Sequence, residues 1–216
     1  MFYSKIFKNN SFSLNKLDLV IDSYLDLDNG YFIELGANNG VSQSNTLRLE
    51  RLKGWRGILI EPTLENFMLC KYFRGEENHI VLGACVDFDY KKKFIELNYS
   101  DLTTSIYNTD EKNEAKFSQK NKFLKNYEQT KKFVTYAFTL DYLLRKYKAP
   151  KKIELLSIDV EGAEQSILKG INFLEYSFKL IIIETENFFE INKILSSYDY
   201  KFLKKVSHHD YLFVKT

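Results

Sequence analysis

Ten residues, Tyr31-Phe-Ile-Glu-Leu-Gly-Ala-Asn-Asn-Gly40, constrain the fold of this chain more than any others. An apolar strand delivers Glu34 to a turn built on Gly36 and Gly40, and a helix is expected to begin at Val41-Ser42. That order suits a doubly wound α/β domain, which collects its ligand at the carboxyl end of the first strand. The two glycines would let the backbone approach a ligand closely, and free amides at a helix start receive a carboxylate or phosphate. The pattern then repeats. Strands are expected at 31–35, 57–61, 79–85, 153–158 and 179–184, with helices at 43–53, 64–74, 139–147, 161–169 and 188–197. Alternation at this density means a parallel sheet with right-handed crossovers.

The glycine spacing is G-x-x-x-G, whereas the pyrophosphate of NAD or FAD usually takes G-x-G-x-x-G. An acid just before the first glycine would repel a phosphate and attract an amine. S-adenosylmethionine has an α-amino group and no phosphate, so it fits this turn better.

A chain of 216 residues that is 44% hydrophobic is long enough for one domain with a full core. Residues 1–30 read as a helical lead-in, with Leu14, Leu17, Ile21 and Leu25 at helical spacing, and 31–216 as the main domain. The first ten residues lack the apolar core of a signal peptide, and the run Leu180-Ile-Ile-Ile183 is too short to span a membrane, so a cytoplasmic protein without membrane insertion is expected. Cys70 and Cys85 read as free buried thiols, because two cysteines make a poor disulfide framework. The net charge of +2 is spread over scattered lysine clusters, which argues against a nucleic-acid partner. One further strand is expected at 92–98. Residues 100–132 are polar and weakly periodic, and read as a lid or an insertion. Two short strands, 201–206 and 211–215, close the chain.

Acids fall at the expected strand ends. Glu61, followed by Pro62, suits hydrogen bonding to ribose hydroxyls; the alternative is a helix-start acid favoured by the macrodipole. Asp159 ends another strand and opens Asp159-Val-Glu-Gly-Ala-Glu164, in which Glu161 would line the mouth of the site and Glu164 reads as a first-turn acid or an ion-pair partner. Glu184 ends the neighbouring strand; with Asp159 it would hold a divalent metal or form a structural ion pair. His208 and His209 occupy the last turn, where a histidine is either a base near neutral pH or simply exposed.

These motifs in this order, with Gly54-Trp-Arg-Gly-Ile-Leu-Ile-Glu-Pro62 and Thr139-Leu-Asp141, resemble the FkbM family of S-adenosylmethionine-dependent methyltransferases. The resemblance covers roughly residues 31–215 and is poorest over 100–132. It implies a class I methyltransferase fold: a Rossmann-like, mostly parallel seven-stranded sheet with a terminal antiparallel strand. It also implies methyl transfer to oxygen on a small-molecule acceptor, often a sugar or sugar nucleotide, as in capsule or lipopolysaccharide building. Glu34, Gly36, Ala37, Asn38 and Gly40, with Asn45 of the same motif, would hold the methionine part of the cofactor. Glu61 and Pro62 would border the ribose and Cys85 the adenine. Asp159 and Glu161 match the acidic site motif, with His208 a further candidate base. Two rivals are a nucleotide-sugar oxidoreductase and a non-catalytic S-adenosylmethionine-binding protein.

Overall fold

The computed structural model describes residues 10–100, 103–106 and 131–216. In chain order the first half comprises α1 (Leu17–Tyr24), β1 (Tyr31–Leu35), α2 (Leu47–Lys53), β2 (Arg56–Glu61), α3 (Leu64–Arg74), β3 (His79–Leu82) and β4 (Ala84–Val86). Then come β5 (Phe94–Ser100), β6 (Thr103–Ile106), β7 (Lys131–Thr139), α4 (Leu140–Lys146), β8 (Lys152–Ile158), α5 (Glu164–Lys169), β9 (Ser177–Glu184), α6 (Phe188–Ser196), β10 (Tyr200–Lys205) and β11 (Asp210–Lys215).

Seven strands form one sheet in the order β10-β11-β9-β8-β1-β2-β3. The pairs from β3 across to β9 are parallel, and β11 runs antiparallel between β9 and β10. This is the class I methyltransferase sheet with its inserted last strand. β1 is central, so both of its faces must be apolar. Ile33 and Leu35 pack with Ile58, Ile181, Leu143 and Ile191 under α4 to α6. Phe32 faces the other way and packs with Leu59, Leu155, Ile21 and Leu49 under α1 to α3. The carboxyl ends of β1, β2, β8 and β9 therefore open along one edge of a three-layer sandwich.

A second, four-stranded sheet, β4-β7-β5-β6, was not expected. The single strand expected at 79–85 is two. It breaks at Gly83, where an added Cβ would lie 2.8 Å from the Tyr136 carbonyl oxygen and 2.9 Å from the Phe138 ring. β7 thus runs across the chain at the one residue that has no side chain, and β4 continues as its parallel partner. The ends of the polar 100–132 segment belong to this sheet. Residues 101–102 and 107–130, the rest of the expected lid or insertion, lie outside the described residues, as do residues 1–9 of the lead-in.

Two helices start later than expected. α2 begins at Leu47, where Ser44 Oγ accepts from the Leu47 amide, after Gln43 in a left-handed conformation. α5 begins at Glu164, because Glu161 (φ 51°) and Gly162 (φ 102°) cannot continue a right-handed helix. Both cysteines are buried and unpaired, and burial pushes each thiol up to about 12. No described helix is long and apolar enough to cross a membrane.

Candidate active site

A cavity of about 380 Å³ opens at the carboxyl ends of β1, β2 and β8, within the size range of small-molecule sites. One wall is the loop Gly36–Asn39 with Ser42 to Ser44, and a second is Glu61, Pro62 and Asn66. Gly83 to Cys85 with Leu97 form the third, and Asp159 to Glu161 with Ala163 and Ile167 the fourth. Of the expected residues, this brings together Gly36, Ala37, Asn38, Glu61, Pro62, Cys85, Asp159 and Glu161. Asn39, Ser42, Gln43 and Asn66 were missed. Asn66 lies one turn into the helix after Glu61, which is the only signal it offered.

Gly36 is a close-approach glycine for a reason internal to the protein. It sits at φ +79°, and an added Cβ would fall 1.8 Å from the Asp159 carbonyl oxygen. The Gly36 and Ala37 amides both bond the Ile60 carbonyl, and the Asp159 amide bonds that of Leu35. The turn is thereby sewn to the strand ends on either side. Gly36→Ala is expected to cost about 2–4 kcal/mol, through backbone overlap plus a left-handed conformation, as read by chemical denaturation. A cost below ~1 kcal/mol would mean the turn can shift freely.

Glu61 is buried on the cavity wall. Its Oε1 accepts from the Thr63 amide (2.9 Å) and hydroxyl (2.6 Å), and its Oε2 from the Asn38 amide (2.9 Å). Burial raises its pKa, and these hydrogen bonds oppose the shift. The carboxylate thus joins the second wall to the first.

Three expected cofactor residues stand behind the wall instead. The Glu34 carboxylate turns away from the cavity and accepts from Ser44 Oγ (3.1 Å), the Asn45 amide (2.9 Å) and Thr46 Oγ1 (2.6 Å). Those donors come from the loop folding back over β1, so the acid anchors the loop. Gly40 has left-handed φ, and the space a side chain would take is filled by Arg74 and Cys70. Asn45 is buried and donates to Ser157 Oγ at 3.1 Å.

On the opposite wall, carboxylate oxygens of Asp159, Glu161 and Glu184 lie within 4.8 Å of one another, an arrangement able to hold a metal ion. Asp159 is exposed where it opens onto the cavity, yet the protein packed around it raises its pKa well above its ordinary value. Desolvation leads, followed by the charges of Glu184 and Glu161 and a hydrogen bond with Glu184. Asp210 stands beside the group on the adjacent strand, paired in register with Glu184, and its pKa is raised by burial against a Ser207 hydrogen bond. Glu164 is a buried first-turn acid bonded to the Gly162 amide and Thr185 Oγ1, in keeping with a structural role.

His208, a candidate base in the sequence, lies away from the cavity. The 207–210 turn is closed by Ser207 Oγ on the His209 and Asp210 amides, which leaves His208 exposed against the His209 ring and outside the cavity lining. His208→Ala is expected to leave thermal stability and turnover within about twofold of wild type, as for an ordinary surface change. A large loss of turnover would return it to the site.

The family model for the methyltransferase FkbM domain matches residues 34–202. This chain belongs to the FkbM methyltransferase family. No curated protein matches it. Among solved structures, an FkbM methyltransferase from Methylobacillus flagellatus is 15% identical, with a TM-score of 0.49 over 87% of this chain. This chain spans only 44% of that one. A methyltransferase from Geobacter sulfurreducens is 12% identical (TM-score 0.49, 98% of this chain and 84% of that one). A TehB-like S-adenosylmethionine-dependent methyltransferase from Corynebacterium glutamicum is 8% identical (TM-score 0.48, 99% and 96%). Membership of the FkbM family makes S-adenosylmethionine the cofactor and sets aside the nucleotide-sugar oxidoreductase.

Proposed function

We propose that this methyltransferase methylates a hydroxyl oxygen of a sugar or nucleotide-activated sugar, in the cytoplasm, during assembly of a bacterial surface glycan. The observation that carries oxygen transfer is the group of carboxylates, Asp159, Glu161 and Glu184, beside the cavity. The sugar rests on the family resemblance alone.

When bound, S-adenosylmethionine supplies an electrophilic methyl group on sulfur. The residues present fit it: the backbone of the Gly36–Asn39 loop lines the cavity, and an acid at the end of β2 stands on the cavity wall. Glu61 would receive the ribose hydroxyls, with the Thr63 and Asn66 side chains yielding their bonds to it. The loop from Gly36 to Asn38 would face the methionine part, and Cys85 the adenine. In-line displacement needs the acceptor oxygen behind the methyl carbon, so much of the rate comes from positioning. A sugar hydroxyl is a weak nucleophile, and Asp159 or Glu161 would take its proton as the new C–O bond forms. Desolvation, with the neighbouring carboxylates, favours that step by making Asp159 hold a proton more strongly.

A second scheme is favoured by the 4.8 Å carboxylate trio: Asp159, Glu184 and Glu161 would hold a divalent cation that polarises the acceptor hydroxyl. Turnover of a panel of nucleotide-activated sugars, read by mass spectrometry for gain of one methyl group, tests the function. A panel without turnover despite cofactor binding would favour a non-catalytic binding protein. The same assay in excess chelator separates the schemes. Full activity is expected if the carboxylates act as bases, and loss restored by a divalent cation if they hold a metal.

A further inference from the structure

Arg74, at the end of α3, is 2% exposed, and its guanidinium lies behind the loop that lines the cavity. Arginine is almost never buried unless its donors are used. Here Nη1 donates to the Gly40 carbonyl (2.8 Å) and Ser44 Oγ (3.2 Å), Nη2 to Thr46 Oγ1 (3.0 Å), and Nε to Glu50. The Glu34 carboxylate is 3.8 Å away and bonds Ser44 and Thr46 from the other side. Asn78 holds Glu50 at 2.6 Å and the Arg74 carbonyl at 2.9 Å.

The loop needs such a support. Four of its residues are left-handed: Gly36 (φ 79°), Asn38 (φ 50°), Gly40 (φ 78°) and Gln43 (φ 60°). Two of these carry side chains, for which that conformation is unfavourable. A buried ion network is a weak source of stability, since apolar residues of the same volume often serve as well. An apolar side chain could not bond Gly40, Ser44 and Thr46 at once.

We propose that Arg74 is a positioning residue for the cofactor: its fork, with Glu34, sets the shape of the loop from Gly36 to Ser44 that receives the methionine part. This rests on the reading of the cavity as the S-adenosylmethionine site. Loss of the fork raises the cofactor's dissociation constant and KM and leaves the chemical step alone.

Calorimetry with S-adenosylhomocysteine on wild type, Arg74→Lys and Thr46→Val tests it, alongside initial rates with S-adenosylmethionine. Lysine keeps the charge but not the planar fork. Kd and KM are expected to rise about tenfold in Arg74→Lys and about threefold in Thr46→Val, with kcat at saturating cofactor within about twofold. Variants that melt earlier but bind with the wild-type Kd would show a structural role only and overturn the proposal. If Arg74→Lys does not fold, Thr46→Val decides by the same criterion. Wild-type protein that fails to bind S-adenosylhomocysteine would overturn the reading of the cavity, and this proposal with it.

Discussion

Asp159→Asn is expected to lower methyl transfer by about 10²–10⁴-fold and, in ligand-free protein at neutral pH, to raise the melting temperature. The activity loss follows if Asp159 takes the acceptor proton or helps hold a cation, since Asn does neither. The stability gain follows from the neighbours. Asp159 is desolvated and faces Glu184 and Glu161, so its pKa is raised. A carboxyl group with a raised folded-state pKa contributes stability that is full below its unfolded value, near 3.9, and lost as pH rises through the folded value. That contribution shrinks as pH rises toward neutrality, and Asn never ionises. Solvent in the cavity screens the repulsion, so the gain is about 2 °C. Thermal scans over a pH series should show the gap between variant and wild type closing toward acid. A variant less stable than wild type at pH 7 would show that repulsion within this carboxylate group does not limit the stability of the ligand-free protein. A divalent cation that stabilises wild type but not Asp159→Asn would favour the metal scheme.

Glu61→Ala is expected to raise the Kd for S-adenosylhomocysteine by about 10²-fold or more. Two hydrogen bonds from ribose to a carboxylate contribute ~1.5–3 kcal/mol each. The substitution also frees the Asn38 amide, and with it the loop on the facing wall. Because S-adenosylhomocysteine binds only the folded state, the thermal shift it causes should shrink in parallel. Glu61→Gln keeps one acceptor and should fall between. Unchanged affinity in Glu61→Ala, measured by calorimetry, would remove Glu61 from the ribose site.

Glu34 and Glu61 look alike in sequence, each an acid at the end of an apolar strand, yet they occupy different places. After Glu61 the chain passes Pro62 straight into α3, so its carboxylate stays on the cavity wall. After Glu34 the chain makes a long turn and returns Ser44, Asn45 and Thr46 as donors, which draw the acid behind the wall. Arg74 was silent in the sequence because its partners lie 24 to 40 residues earlier in the chain. The second sheet was missed for a similar reason. β4 meets β7 across roughly 50 residues, through a register in which Cys85 faces Phe138, and local periodicity carries no record of such a pairing.

What this sequence determined by itself is the main sheet and the edge where the site lies. Strands buried on both faces must be continuous apolar runs, and their polar ends can lie only where the runs stop, so Glu61, Asp159 and Glu184 were legible as strand-end acids. Tertiary structure alone decided which polar ends face the cavity. A carboxylate turns to whichever donors the returning chain brings within about 3 Å. That choice turned Glu34 inward and left Glu61 on the wall; the 207–210 turn, closed by Ser207, left His208 to solvent, and the β9–β11 register brought Asp210 beside Glu184.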